Sequence, residues 1–412
     1  MTRLLITDSV PLNTGDAAIL HGILVLLKRA LPKADVRIHV HQHDLAAKRY
    51  RDLPLYRSLG ESSREFPPRL FWRFPASLRY KAAVASPFRA MRTPVPLVTS
   101  AAERSSINDY LWADAIISCG GSFLTDTYSL DNTLAGYDLG LALGKRMILL
   151  GQTLGPFRQE NKAALVGGFL QRFDLVVVRD ERSMDTGRKL RLSNEKLLLG
   201  VDMAFNLEAQ PAQGRAGNEP IRVGVSVRKW LYPNSTQPDR AHVSYVSRMA
   251  RALDLLLARS SAVITFISTC QGEADYPYHD DRVAEEVRSL MEFRDRTNVD
   301  HSFNTPLEFT QKIAGMDAFL GTRMHSCILA LLAGVPAINL EYEFKSRELY
   351  RRLGCEEFVL DVSTFQPDDV AEMLQAFLDQ RETIGERFVT GVKSLQGFNR
   401  EAADRVRRLF DS

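Results

Sequence analysis

The chain has 412 residues, 45% of them hydrophobic and 25% charged, a globular makeup long enough for two or three domains at roughly 150 residues each. That excludes a disordered chain, a collagen-like repeat and a disulfide-stapled miniprotein. Lys+Arg 53 against Asp+Glu 50 leaves +3, too little for a general nucleic-acid binder.

The opening residues, with a strand expected at Leu4–Thr7, lack the long apolar run and cleavage site of a signal peptide. Asn13-Thr14-Gly15-Asp16 then precedes a helical pattern, Ala17–Leu31. Asp16 is placed to cap that helix, and Gly15 permits a sharp turn with close approach to a ligand; capping alone also explains the motif. The next strand, Val36–His41, starts an alternation of His39, His41 and His43 that puts three imidazoles on one face. That spacing permits a metal site, although strand histidines are often structural.

Residues 48–92 break the pattern. They hold eleven Lys/Arg and three acids, a local +8 that leaves the rest of the chain at −5. Phe66, Phe71, Trp72, Phe74, Tyr80 and Phe88 are interleaved with the cations. One reading is a solvated insertion with a small core of its own. The other is a surface for peripheral membrane contact or a polyanionic acceptor, with rings at headgroup level and cations on phosphate.

Strands follow at Ala115–Ser118, Met147–Leu150 and Leu175–Val178, with a helix at Ala163–Phe173. Gly120-Gly121-Ser122 and Gly151-Gln152-Thr153-Leu154-Gly155-Pro156 sit at two of the strand ends. They have the composition of a backbone cradle for phosphate or sugar hydroxyls, but match neither GxGxxG nor GxxxxGK[ST]. Arg179-Asp180-Glu181-Arg182-Ser183 reads as salt bridges and capping, and Asp202 closes the first half. Leu207–Pro220, without periodicity, reads as a linker.

The second half repeats the alternation, with strands at Val223–Val227, Val263–Ile267, Ala318–Gly321 and Ala337–Leu340. Helices at Ser244–Ala258, Val283–Phe293 and His325–Ala333 separate them. The organisation expected is an N-terminal α/β domain over 1–206, a linker over 207–220, a C-terminal α/β domain over 221–365 and a helical tail over 366–412. Two parallel sheets joined this way place a ligand in an interdomain cleft, outside the carboxyl ends of the strands. The sharpest cluster is Gly321-Thr322-Arg323-Met324-His325-Ser326, followed by Gly334-Val335-Pro336 and Lys345. Arg228 ends a strand of the same domain. Arg323 is suited to a two-pronged hold on carboxylate or phosphate, with Lys345 adding a point charge. Cys119, Cys270, Cys327 and Cys355 form no CxxC pair and read as reduced, buried thiols. Without a membrane span, a cytoplasmic enzyme is the default, membrane association at the inner face being the open alternative.

Taken in order, the motifs Asn13–Asp16, Gly120-Gly121, Gly151-Gln152…Gly155-Pro156, Arg179-Asp180…Ser183, Asp202 and Gly321–Ser326…Gly334-Val335-Pro336…Tyr342…Lys345 resemble the polysaccharide pyruvyl transferases. The resemblance runs from about residue 3 to 350 and leaves 48–92 and the tail after 365 unmatched. It implies an α/β fold of two Rossmann-like domains in a GT-B-like arrangement, with 221–365 binding the donor. It further implies phosphoenolpyruvate as donor and a sugar residue of a bacterial surface glycan, or its precursor, as acceptor, lipid-linked or not. The product is a pyruvate ketal, released with phosphate, and no cofactor or metal is required.

Carried over by position, Arg228, Arg323 and His325 match donor-site residues, and Lys345 matches less closely. Phosphoenolpyruvate carries two anionic groups, so Arg228 and Arg323 are the natural cations, each contact contributing about 1.5–3 kcal/mol. His325 is the expected general acid, since an ordinary imidazole, titrating near about 6.5, gives and takes protons at neutrality. Asp202 or Asp16 is the expected base for the acceptor hydroxyl. Asn13, Gly15, Gly120, Gly121, Gln152 and Ser326 complete the expected binding set. A GT-B glycosyltransferase using a nucleotide sugar shares most of these features. A non-catalytic glycan binder would keep the fold without needing His325.

Overall fold

The structure is a computed structural model that describes residues 1–63, 76–83, 99–208, 220–230, 238–271 and 279–411. The chain divides into two compact units. Unit 1 comprises Met1–Leu12, Ile19–Asn206 and Phe398–Ser412, and unit 2 comprises Asn13–Ala18 and Leu207–Gly397. Residues 209–219 of the expected linker lie outside the described residues, as do 64–75 and 84–98 of the cation-rich stretch and its surroundings.

Unit 1 is built on a parallel sheet of β1 (Arg3–Ser9), β2 (Asp35–Val40), β3 (Leu55–Arg57), β4 (Ala115–Cys119), β5 (Arg146–Gln152), β6 (Leu175–Val178) and β7 (Leu197–Leu199). The strand order is β3-β2-β1-β4-β5-β6-β7. Every residue of β4 and β6 is buried. Near-continuous runs of Val, Ile and Leu suit a parallel sheet covered on both faces, where no polar alternation is needed. Helix Asp131–Ala142 brings Tyr137 and Leu139 into the core, joined by Tyr110, Phe173 and Tyr80. Tyr80 is 1% exposed, so this ring of the basic-aromatic stretch is core rather than interface. Its hydroxyl donates to Glu103 Oε1 at 3.3 Å.

Unit 2 repeats the plan with β8 (Arg222–Ser226), β9 (Val263–Phe266), β10 (Thr297–Val299), β11 (Ala318–Gly321), β12 (Ala337–Glu341) and β13 (Val359–Asp361). Their order is β10-β9-β8-β11-β12-β13, again with parallel pairing. Renumbered from its first strand this is the doubly wound order 3-2-1-4-5-6. Strand order reverses between β1 and β4 in unit 1 and between β8 and β11 in unit 2. A crevice opens at such a switch point beyond the carboxyl ends of the strands, because the flanking helices leave on opposite faces.

The nine strands expected from the sequence are all present. The strands not expected, β3, β7, β10 and β13, are the sheet edges, and each has three residues. The histidine alternation does not hold. His39 lies on β2, but the chain turns at Gln42, with φ 54°, and His43 starts the helix His43–Arg49. The three imidazoles therefore share no strand face. Among the described residues no group of three His, Cys, Asp or Glu side chains suits a metal. All four cysteines are free and buried. No described helix is long and apolar enough to cross a membrane.

Candidate active site at the unit 2 switch point

Beyond the end of β8 stands Arg228, and beyond β11 stand Thr322, Arg323 and His325. The guanidinium carbon of Arg228 lies 4.3 Å from the centroid of the Tyr342 ring, a cation–π contact that holds a long side chain in place. Trp230 packs edge-on against the same ring at 5.8 Å. The Nε of Arg228 is buried without a hydrogen-bond partner, and no ion pair engages this arginine among the described residues. An unsatisfied buried guanidinium N–H costs free energy unless a ligand meets it.

Arg323 is held differently. Its Nε and Nη2 donate to Asp280 at 2.5 and 2.9 Å, and the two side chains are 12% and 2% exposed. The two-pronged contact expected toward a ligand is thus made internally, leaving Nη1 as the edge that Asp280 does not engage. Burial pushes the Asp280 carboxyl up, opposed by the Arg323 guanidinium. Asp280 begins the helix Asp280–Leu290, and its N–H donates to Cys270 O at 2.9 Å. Burial pushes the Cys270 thiol up to about 12, with the charges of Arg323, Asp280, Asp16 and Arg228 close enough to act on it.

Arg323 is also the N-cap of the helix Met324–Leu332, and its side chain makes no capping bond there. The positive end of the helix dipole favours an anion there. Ser326 Oγ donates to Arg323 O at 2.7 Å, so this hydroxyl braces the helix start. Lys345 begins the helix Lys345–Leu353 and pairs with Glu343 at 2.5 Å.

The Asn13–Asp16 motif belongs to this unit. The helix it opens, Thr14–Ala30, is capped by Asn13 and not by Asp16: Asn13 Oδ1 accepts from the N–H of Gly15 at 2.8 Å and of Asp16 at 3.4 Å. Asp16 occupies the first turn, where a carboxylate favours the dipole without serving as the cap. Thr14 N–H donates to Thr269 O at 2.9 Å and Thr14 Oγ1 to Asn304 O at 2.6 Å, anchoring the turn beside β9 and β10. Gly15 touches His325. A Cβ on Gly15 would stand 2.6 Å from His325 Cβ and 2.8 Å from its Nδ1, so the absence of a side chain is what seats the imidazole.

The other expected residues sit in unit 1. Gly120 lies against β5, where an added Cβ would be 2.1 Å from Leu150 O. Gly121 O accepts from Thr153 N–H at 2.8 Å. Gln152 is fully buried and donates to Thr153 O at 2.8 Å. Asp202 accepts from Arg179 Nη1 at 2.6 Å, both side chains 4% exposed, and from Ala204 N–H at 3.0 Å. Asp180 caps the helix Glu181–Lys189 by accepting from Ser183 N–H at 2.7 Å, as the charge cluster suggests. Asp280 and Tyr342 complete the unit 2 site and are absent from the expected binding set. Asp280 is 43 residues from Arg323, and only the topology brings the two together.

This arrangement sets an arginine with a buried unpartnered N–H beyond one strand of a switch point and an imidazole held against a glycine beyond the next. Solved structures share the fold. S. aureus MnaA bound to UDP superposes with a TM-score of 0.59 at 11% identity, over 97% of this chain and 94% of that one. Anabaena HepE with UDP-glucose gives 0.57 at 12% identity, over 100% of both chains. The fold is of the GT-B type, two parallel α/β units in one chain. Residues 13–343 match the polysaccharide pyruvyl transferases, and the chain belongs to that family. It is also 24% identical over 420 residues to the amylovoran biosynthesis protein AmsJ of Erwinia amylovora, covering 95% of this chain and 96% of that protein.

Proposed function

We propose that the protein transfers a pyruvyl group from phosphoenolpyruvate to two hydroxyls of one sugar residue in a surface glycan or its precursor, forming a ketal. The observation that carries this reading is Arg228: a guanidinium stacked on Tyr342, its buried Nε without a partner, in the unit whose next strand leads into the Met324 helix start. Such a place suits a small dianionic donor. Arg228 would hold one anionic group, and the Met324 helix start with Arg323 Nη1 the other. Phosphoenolpyruvate presents both a carboxylate and a phosphate.

The chemistry needs one proton donor. His325 gives a proton to the methylene carbon of the enol, which becomes a methyl group. The neighbouring carbon acquires oxocarbenium character, and a sugar hydroxyl adds to it, its proton restoring the imidazole. The second hydroxyl then displaces phosphate, which leaves with the remaining proton. No electrons are gained or lost, and the sum is donor plus diol giving ketal plus phosphate.

Ligand-induced stabilisation tests the donor assignment. At 100 times its dissociation constant a ligand stabilises by about 2.7 kcal/mol, a readable shift in melting temperature. Phosphoenolpyruvate is expected to raise the midpoint of the intact chain and not of Arg228→Met. A rise with nucleotide sugars alone would make the protein a glycosyltransferase instead.

A further inference from the structure

Unit 1 has a switch point of its own, and its polar groups are opposite in character. β1 runs in register with β2 up to Ile6↔Ile38, then slips so that Ser9 pairs with Val40. The extra residue of this bulge falls at Thr7–Asp8, and Asp8 takes φ 63°, in the left-handed region. Bulges re-aim side chains, and a non-glycine residue held in that region is strained. The half-buried Asp8 carboxylate is turned among hydroxyls. It accepts from Ser118 Oγ at 2.7 Å, Thr7 Oγ1 at 3.0 Å and Thr133 Oγ1 at 3.2 Å. Among the described residues no cation pairs with it at salt-bridge distance.

A pocket of about 30 Å³ opens beside this carboxylate, lined by Asp8, His39, His41, Ser58, Tyr110 and Thr133 among others. His39, 1% exposed, gives Nε2 to Asp109 at 2.8 Å, while its Nδ1 is buried with no partner. His41, half-buried, keeps Nδ1 at 3.4 Å from Ser58 Oγ. The pocket lining thus combines a carboxylate that accepts, two imidazole side chains and hydroxyls that both donate and accept. Space of this size holds a water or one hydroxyl-bearing carbon, with the rest of a ligand outside.

We infer that this pocket is a sugar-hydroxyl subsite of unit 1, in which Asp8 accepts from one hydroxyl of a neutral pyranose and the imidazoles of His39 and His41 line the place it enters. An uncompensated carboxylate repels phosphate and carboxylate ligands, and it accepts from O–H donors. Burial pushes the Asp8 carboxyl up, opposed by its hydroxyl partners and by His41. The choice of a sugar over other polyols rests on the pyruvyl-transfer reading; the existence of the subsite does not.

Saturation-transfer NMR on the intact chain, with methyl glycosides of glucose, galactose, mannose and N-acetylglucosamine at millimolar concentration, tests the inference. At least one glycoside is expected to bind, with affinity falling tenfold or more in Asp8→Asn and in His41→Gln and unchanged in Arg228→Met. His41→Gln keeps the test open if Asp8→Asn does not fold. No binding from the whole panel would overturn the subsite. So would binding untouched by either unit 1 substitution, or binding lost in Arg228→Met. If glycosides follow the expected pattern while phosphoenolpyruvate gives no thermal shift, the subsite stands and the donor assignment falls.

Discussion

At the residue scale, the two units use charge in opposite ways. Arg323 and Asp280 form a buried pair whose work is to hold a helix start in place, whereas Arg228 offers an N–H that the protein leaves unsatisfied. His325 depends on Gly15 in the same manner, through space that a methyl group would fill. Gly15→Ala is predicted to push the imidazole aside, lowering turnover by about tenfold or more while helix propensity at this position improves. Steady-state phosphate release together with the melting midpoint checks this; full activity in the variant would remove His325 from the reaction. Asp202 is a base candidate from the sequence, yet its carboxylate holds Arg179 inside unit 1. Asp202→Ala leaves that guanidinium buried without its carboxylate, and is predicted to lower stability by about 3–5 kcal/mol in denaturant titration. An unchanged midpoint with lost turnover would instead return Asp202 to the chemistry.

Elements explain what is legible in the sequence. An interior strand such as β6, Leu175–Val178, announces itself because both faces are buried and every residue is apolar. The edges β3, β7, β10 and β13 span three residues each, and β3 and β10 read as Leu-Tyr-Arg and Thr-Asn-Val. Too short for a period and partly solvated, they are defined by pairing to a neighbour, which no local pattern encodes. Arg228, Arg323 and His325 are visible because they stand just past readable strands. Asp280 and Asp8 are not, the first because its partner is remote in sequence and the second because a bulge decides its direction. The glycine pair after β4 illustrates a motif whose local cause is packing. Gly120→Ala would drive a Cβ to 2.1 Å from a backbone oxygen of β5, with nothing flexible to yield, and is predicted to cost on the order of 3 kcal/mol. A midpoint within about a degree of the parent would contradict that, since a loss of this size moves a domain's midpoint by several degrees.

Over the whole molecule, the same doubly wound order occurs in both units and each carries polar groups at its strand reversal. Unit 2 gathers Arg228, Arg323 and His325, suited to an anionic donor; unit 1 gathers Asp8, His39 and His41, suited to neutral hydroxyls. Pyruvyl transfer needs both kinds of recognition, since its donor carries the negative charge and its acceptor supplies two hydroxyls. Within the described part of the cation-rich stretch over 48–92, Tyr80 serves the core and Lys81 pairs with Asp138 at 2.7 Å, both structural tasks inside unit 1. The most direct test is diffraction from crystals of the intact chain grown with phosphoenolpyruvate. The expected map shows a donor anionic group on the Arg228 guanidinium and the His325 ring facing the methylene carbon. Phosphoenolpyruvate bound away from these residues, or excluded by a nucleotide sugar seated on Arg228, would contradict it.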